Sequence, residues 1–589
     1  MSEKTTIEQQ RHSLAHLLGA AVMEIYPDAK LTLGPAVDDG FYYDVKFAGP
    51  VGENELASIE NKMRELIPTW TTVTHKEVSK EEALDYFKGN EFKAELINEI
   101  AERATAAESS GAPKEKITLY TMGNFTDLCR GGHVDDLSSI DPESFKLDRI
   151  AGAYWRGKEA NPMLTRIYGL AFESKADLVE HLRIREEALA RDHRKIGHDL
   201  DLFTFSALVG AGLPLWTPRG TTVRTELNNF VWELRKARGY EQVTIPHITK
   251  RDLYETSGHW QKFANELFRI TAREGKEYAM KPMNCPHHTQ IYAHLQRSYR
   301  DLPQRYAETT MVYRDEQSGE LGGLTRVISI TQDDAHVFCR QSQIEQEFDA
   351  IWEVITTFYK TFGFDLRVRL SFHDPEEFDK YLGTKEVWAH TEDTLKKIAE
   401  SKNVDYFMGI GEAAMYGPKL DFMAKDSLGR EHQVATVQLD MNMPERFDLF
   451  CINEKSEKER IVMIHCAIMG SIERFTAVLL EHTAGVLPVF CSPMQVTVVP
   501  VGESQQDYAQ EITDKLKSHN VRAIMKTDDS LGKRIRASKI EKTPYQIVIG
   551  NKEIESKTLT IEGRNDTKLE GISIDDFIIK ITGEIKNRS

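Results

Sequence analysis

Cysteine is scarce and dispersed. The six cysteines among 589 residues, at positions 129, 285, 339, 451, 466 and 491, form no CxxC pair, which excludes the disulfide framework of a small secreted domain and fits a reducing compartment. Positive charge in bulk is also missing: 75 Lys+Arg against 92 Asp+Glu leave a net charge of −17, so any contact with nucleic acid must come from a local patch. The polar start, Met1–Gln10, lacks the basic and apolar segments of a secretory signal. The longest uncharged run, Thr483–Gly502, is interrupted by Pro488, Pro493 and Pro500 and cannot form a membrane-spanning helix. No period of about 20–50 residues repeats and no low-complexity tract occurs, which removes solenoids and disordered tails. These absences imply a globular, cytoplasmic chain without a membrane partner, long enough for about three to five domains.

Apolar residues recur at helical spacing from Glu8 to Tyr26 (Leu14, Leu17, Leu18, Val22, Ile25), and Phe41–Val45 follows as a strand entered through Asp38-Asp39-Gly40. This predicts an α+β domain over residues 1–175. The charged stretch Ala176–Arg194 has the period of an exposed helix and predicts a connecting helix or linker over 176–201. Residues 202–487 mix helices with short β-branched strands such as Val243–Ile245, Val327–Ile330 and Val434–Leu439, as expected of one large domain on a mostly antiparallel sheet. From 488 to 589 strand and helix alternate (Gln495–Val499, Tyr508–Ser518, Val521–Met525, Gly532–Ile540, Gln546–Ile549), predicting a small α/β domain with a largely parallel sheet. Pro488 and Pro493 mark a hinge before it.

Three segments offer metal ligands: Cys285 in Met283–His288, His336 at the end of Gln332–His336, and His465 in Ile464–Cys466. A Cys/His/His set leaves coordination open on zinc, the pattern of a working site, although each residue alone is more often structural. Tyr313–Gly319 runs through Gly322-Gly323 to Arg326 and Gln332, which predicts two antiparallel strands joined by a loop, and Gly470–Phe475 opens a helix with Arg474 in its first turns, where a guanidinium can hold phosphate. An ordinary salt-bridged ribbon and helix would satisfy the same residues. Near the amino terminus His12 and His16 lie one helical turn apart, and Cys129 and His133 flank Gly131-Gly132. They make either a second zinc site or partly buried structural histidines. Ser13 after His12 removes the metalloprotease reading, which needs a glutamate there.

Together these segments resemble the three signature motifs of class II aminoacyl-tRNA synthetases, and within that class the threonyl-tRNA synthetases of bacterial type. The resemblance spans nearly the whole chain through RHSLAHLLGAAV, GFYYDV, DLCRGGHV, AGAYWRG, RDHRKIG, SGHW, KPMNCPHH, SYRDLP, SGELGGLTRV, TQDDAHVFC, YGPK, TVQLD and GSIERF. It implies an α+β multidomain architecture: an N-terminal α+β editing domain, an antiparallel-sheet catalytic domain and a C-terminal α/β anticodon-binding domain. Family members commonly carry a β-grasp domain before the editing domain; RHSLAH begins here at residue 11, so a chain starting at the editing domain is expected.

The resemblance also implies roles. Cys285, His336 and His465 would hold one zinc ion that receives threonine; Asp334 would accept from the threonine hydroxyl, Gln332 and Tyr416 would contact the amino end, and Lys419, Gln433 and Gln438 would complete the pocket. A pocket cannot reject valine by shape, but a metal that requires a hydroxyl can. Arg314, Arg326 and Arg474 would be the catalytic cations facing the phosphates of ATP, Glu316 would read the adenine amino group, and Mg2+ would accompany ATP. Two departures stand out: Ile330 replaces the aromatic residue that usually stacks on adenine, and Ile328 breaks the usual Arg-Val-Arg. His12, His16, Tyr43, Lys93, Tyr120, Asp127, Cys129 and His133 match the editing site that hydrolyses seryl-tRNA without a metal. In the last domain Glu553 matches an anticodon reader, and Arg564, two residues beyond Glu562 on an expected strand, would replace a base-contacting arginine. Lys526–Lys552 holds seven Lys/Arg against three acids, a local patch for tRNA(Thr). Phe230–Pro246 would lie at the two-fold interface of a homodimer.

Overall fold

Helix α1 (Thr6–Ile25) buries Leu14, Leu17, Leu18 and Val22, the stripe set by their spacing. The chain is described here from a computed structural model covering residues 6–110, 116–564 and 567–588, and it divides into two units, 1–187 and 188–589. In the first unit α1 packs on an antiparallel sheet whose long strands are β1 (Gly40–Lys46), β4 (Phe145–Tyr154) and β5 (Met163–Ala171), in the order β1-β5-β4. Between β1 and β4 come helix α2 (Glu91–Ser110) and strands β2 (Thr118–Met122) and β3 (Phe125–Leu128), which form a second antiparallel sheet with Val73–Glu77. The α+β character expected of this region is observed.

The expected connecting helix is two helices. Helix α3 (Lys175–Ala190) stops before Asp192, which caps α4 (His193–Asp199) by accepting the Arg194 amide. Nor is α4 an exposed linker, because His193 and Ile196 are buried.

The second unit is built on an eight-stranded sheet. Helix α5 (Pro218–Lys236) precedes β6 (Glu241–Gln242); helix α6 (Cys285–Ala293) precedes β7 (Gln304–Tyr313) and β8 (Ser329–Cys339). After α7 (Ile344–Thr361) come β9 (Asp365–Phe372), β10 (Tyr406–Ile410), β11 (Lys419–Lys425), β12 (Glu431–Asp440) and β13 (Val462–Ser471), and then α8 (Ile472–His482). The spatial order is β6-β7-β8-β13-β12-β11-β9-β10, antiparallel except for the outer pairs β6/β7 and β9/β10. Phe348, Ile351, Ile355 and Phe358 of α7 lie on one face and pack into the same core as Phe230 of α5 and Phe475 of α8. Each such side chain contributes roughly 1.5–3 kcal/mol by leaving water.

Phe490 joins that cluster against Phe230, and Leu487 and Cys491 are buried with it. The segment around Pro488 and Pro493 is therefore anchored in the core and is not a free hinge. Beyond it β14 (Val496–Pro500), α9 (Gln506–Ser518), β15 (Ala523–Met525), α10 (Leu531–Ile540), β16 (Tyr545–Ile549), β17 (Leu559–Gly563), β18 (Lys568–Ile572) and α11 (Ile574–Asn587) make an α/β domain with sheet order β15-β14-β16-β17-β18. The first three strands are parallel as expected; β17 and β18 add antiparallel pairs. Among the described residues no helix is long and apolar enough to cross a membrane.

Candidate functional site

One row of side chains crosses four strands of the large sheet. Cross-strand register pairs Lys419 of β11 with Gln438 of β12, Gln438 with His465 of β13, and His465 with His336 of β8. Directly paired residues share a face, so the row follows from register. Cys285 enters from the first turn of α6, and the ligand atoms of Cys285, His336 and His465 all lie within 4.8 Å of one another, in a buried setting. His336 Nδ1 faces His288 Nδ1 at 2.8 Å, and His465 Nε2 donates to Asp440 Oδ2 at 2.9 Å. The inner nitrogens, His336 Nε2 and His465 Nδ1, are 3.1 Å apart. Outer nitrogens held by neighbouring groups fix the tautomers that metal-binding imidazoles require. Burial, then the charges of Asp334 and Asp440, push the Cys285 thiol well above its ordinary pKa, while burial, His465 and Arg235 hold His336 well below its own.

The other expected pocket residues surround this row. Asn284 Nδ2 donates to Asp334 Oδ2 at 2.9 Å. Tyr416 donates to Gln438 Oε1 at 2.9 Å and stacks on His465 at 4.8 Å between ring centres. Lys419 lies 3.1 Å from Asp421 Oδ2, and Gln433 donates to Asp421 Oδ1 at 2.9 Å while accepting from Arg369 at 2.7 Å. Asp334, Tyr416, Lys419, Gln433 and Gln438, with Gln332 and Ile330, line a cavity of about 360 Å³. Its far end carries Arg314, Arg326 and Arg474, with Glu316. Arg326 donates to Glu316 Oε2 at 2.8 Å and to Glu320 at 3.0 Å; Arg474 donates to the Thr325 carbonyl at 2.9 Å. Arg314 Nε is buried without a hydrogen-bond partner. Burial, and then repulsion from Arg314 and Arg326, lower the Arg474 pKa, so the three cations converge on one space. Such an arrangement favours a polyanion.

In the first unit α1 presents His12 and His16 to the turn after β3. Cys129 Sγ lies 3.5 Å from His12 Nε2 and 3.2 Å from His133 Nε2, and the Gly131 amide donates to it at 3.3 Å. Gly131 has φ +93°, and a Cβ there would stand 2.4 Å from Tyr120 Oη, so this turn requires glycine. Asp127 is the hub behind the cluster: Lys93 Nζ lies 2.5 Å from Oδ1, Tyr43 donates to Oδ2, and His16 Nδ1 is 3.4 Å from Oδ2. The ligand atoms of His12, His16, Cys129 and His133 also lie within 4.8 Å of one another. Burial first, then the neighbouring histidines, hold His133 down at about 2, and burial raises Cys129 to about 11. All eight residues expected of this site are thus brought together.

The carboxy-terminal expectations fare differently. Glu553 caps its own turn by accepting the Gly550 amide at 3.0 Å and a hydroxyl hydrogen from Thr560 at 3.2 Å. Arg564 needs correction as a base reader. Strand β17 ends at Gly563, and the Arg564 guanidinium turns inward to donate to the Lys542 and Leu487 carbonyls and to Ser492 Oγ, its pKa lowered by burial to about 10. The basic stretch is also smaller than its charge count: Lys526 pairs with Glu541, and Arg534 and Lys542 bond to backbone carbonyls, leaving Lys533, Arg536, Lys539 and Lys552 on the exposed side, with Lys533 beside Asp529 and Lys539 3.8 Å from Glu562. Four residues that nothing in the sequence marks as supports of the central row, Asp440, His288, Asn284 and Asp421, hold its members and Asp334 in place. Three of the four lie inside segments already singled out, TVQLD and KPMNCPHH.

An antiparallel sheet carrying this row, with a cavity of converging arginines, defines the catalytic core of a class II aminoacyl-tRNA synthetase, and residues 268–483 match the model described as the tRNA synthetase class II core domain (G, H, P, S and T). Residues 495–584 match the anticodon binding domain, and residues 117–168 match the threonyl and alanyl tRNA synthetase second additional domain. A threonine–tRNA ligase of Deinococcus radiodurans is 44% identical over 593 residues, covering 98% of this chain and 89% of its own; one of Thermosynechococcus vestitus is 42% identical, covering 99% and 96%. A crystal structure described as the RNA binding domain of threonyl-tRNA synthetase from Cryptosporidium parvum Iowa II shares 36% identity at a TM-score of 0.64, over 67% of this chain and 98% of that one. The chain belongs to the threonine–tRNA ligase family.

Proposed function

We propose that two sites divide the family's reaction in this chain: the cavity of the second unit joins L-threonine to tRNA(Thr) at the expense of ATP, and the His12–Asp127–Cys129 cluster hydrolyses mischarged seryl-tRNA(Thr). The observation that carries the first part is one cavity with two chemically distinct ends, a thiol and two imidazoles at one and three guanidiniums at the other. Cys285, His336 and His465 suit a zinc ion, since a buried soft donor stands beside two imidazoles whose outer nitrogens face His288 and Asp440. When bound, zinc supplies a Lewis acid with open coordination, which selects an amino acid carrying a hydroxyl. Asp334, steadied by Asn284, accepts from that hydroxyl; Tyr416, Gln438 and Gln332 hold the amino end, and Lys419 and Gln433 brace the wall through Asp421.

In the activation step a carboxylate oxygen of threonine bonds to the α-phosphorus of ATP and pyrophosphate leaves. Arg314, Arg326 and Arg474 stabilise the charge that grows on the phosphate oxygens, Glu316 meets the adenine amino group, and Mg2+ carried by ATP offsets the polyphosphate. Serine also bears a hydroxyl and passes the same test, which is why a second, hydrolytic site is needed. There Asp127, Lys93 and Tyr43 orient His16, while His12, Cys129, His133 and Tyr120 hold the 3′ end and a water; following the family resemblance, no metal is assigned. Glu553 is the anticodon contact retained. The six free cysteines support a cytoplasmic setting, and the edge strand β6, exposed beside α5, supports a homodimer through the 230–246 segment. Threonine-dependent ATP–pyrophosphate exchange tests the synthetic reading. Exchange supported equally by valine, or none with threonine, overturns it.

A further inference from the structure

The motif RDHRKIG plays no part in the chemistry above, yet it reaches the ATP loop. His193, buried at the start of α4, lies between two elements of the cavity wall. Its Nδ1 is 2.6 Å from Glu481 Oε1, in the last turn of α8, and its Nε2 accepts the Leu324 amide at 3.0 Å. A carboxylate accepts only, so Glu481 fixes the proton on Nδ1 and leaves the Nε2 lone pair for Leu324. Glu481 is itself held, its Oε2 accepting from Arg430 at 2.6 Å and its Oε1 from the His193 amide at 3.2 Å.

Leu324 belongs to the turn of the loop between β7 and β8 that carries Glu316 and Arg326. The neighbouring Thr325 carbonyl accepts from Arg474, in the first turn of α8. One helix thus grips two adjacent residues of the loop, directly through Arg474 and indirectly through Glu481 and His193. The approach is close: a Cβ on Gly323, whose φ is +59°, would stand 2.4 Å from His193 Nε2. Leu324 is fully buried in the core with Ile196 of α4, so the turn is fixed by packing as well as by the hydrogen bond.

We propose that His193 is a positioning residue for adenylate formation, setting the loop so that Arg326 and Glu316 meet ATP in register with Arg474. This rests on reading that loop as the ATP contact. It makes the two ring nitrogens unequal in a testable way. Glutamine can put an amide oxygen where Nε2 stood and keep the Leu324 bond; asparagine can put its amide nitrogen where Nδ1 stood, keeping only the bond to Glu481.

The experiment is threonine-dependent ATP–pyrophosphate exchange by the full chain, with His193→Ala, His193→Asn and His193→Gln compared at varied ATP, beside thermal midpoints and seryl-tRNA deacylation. Alanine and asparagine are expected to raise KM for ATP, or lower kcat/KM for ATP, about tenfold, the effect of losing one buried hydrogen bond, and glutamine to restore most of the loss. Deacylation should stay constant in all three. Glu481→Gln, which weakens the grip on Nδ1 while leaving His193 in place, should fall between wild type and asparagine. If asparagine and glutamine behave alike, or the losses follow the thermal midpoints, or Glu481→Gln leaves the ATP dependence unchanged should the His193 variants not fold, the positioning role is overturned. Absence of exchange in the wild-type enzyme would instead overturn the functional reading beneath it.

Discussion

His336 Nε2 and His465 Nδ1 face each other at 3.1 Å across adjacent strands, while His288 and Asp440 hold the outer nitrogens of the two rings. With Cys285 beside them, the chain should bind about one equivalent of zinc, and Cys285→Ser should lose the metal and threonine activation together. Asp440→Asn keeps the donor set but removes the carboxylate from His465, and zinc affinity should fall by about 10–100-fold. Metal analysis and competition with a chelator measure both. Full metal content with normal exchange in Cys285→Ser would show that the ligands are misassigned.

Arg314 and Arg474 approach the same end of the cavity from different elements, the loop after β7 and the first turn of α8. Arg314→Ala and Arg474→Ala should each slow adenylate formation by on the order of 10²-fold or more, because each removes a fixed cation aimed at developing charge. Single-turnover formation of threonyl-adenylate is the measurement, and rates within a few-fold of wild type would contradict the roles.

How legible this was in the sequence depends on what kind of information each residue needed. The stripe Leu14, Leu17, Leu18 and Val22 was readable because helical period alone decides it. The row Lys419, Gln438, His465 and His336 was not, since strand register is a tertiary fact; its members were named through family resemblance, and the structure supplies the pairing that joins them. Asp440 and His288 were overlooked for the same reason: their importance lies in what they touch. Arg564 failed because same-face spacing holds only while a strand continues, and β17 stops one residue earlier. The Lys526–Lys552 patch shrank because a charge count ignores partners such as Glu541 and the buried carbonyls that take Arg534. Prolines 488 and 493 signalled a hinge, but the apolar Phe490 and Cys491 between them carried the opposite message.

Ile330 pairs with Val312 and lines the cavity on the arginine side of β8. An aliphatic side chain can pack on adenine, but it lacks the ring face that stacks on a base. Ile330→Phe is therefore expected to lower the KM for ATP several-fold, with the threonine KM unchanged. An unaltered ATP dependence would put adenine elsewhere in the cavity.

The last prediction separates the two sites and decides whether the first unit uses a metal. Serine keeps the hydroxyl and differs from threonine by one methyl, a difference worth about 1–3 kcal/mol in an apolar contact, so misactivation at roughly 0.5–10 per cent must be cleared by hydrolysis. Changing both His12 and His16 to Ala should leave threonine activation within about twofold of wild type while seryl-tRNA accumulates. The cluster is geometrically able to take an ion, with four candidate ligands within 4.8 Å, yet His16 Nδ1 faces Asp127 Oδ2 at 3.4 Å, and that carboxylate is already held by Lys93 and Tyr43. Chelation of zinc before assay on preformed seryl-tRNA should therefore abolish threonine activation and spare deacylation. If deacylation also collapses and returns with added zinc, His12, His16, Cys129 and His133 form a second metal site. If the double variant still clears seryl-tRNA at the normal rate, proofreading lies outside this cluster, and Asp127 holds a structural core in place of a water-orienting one.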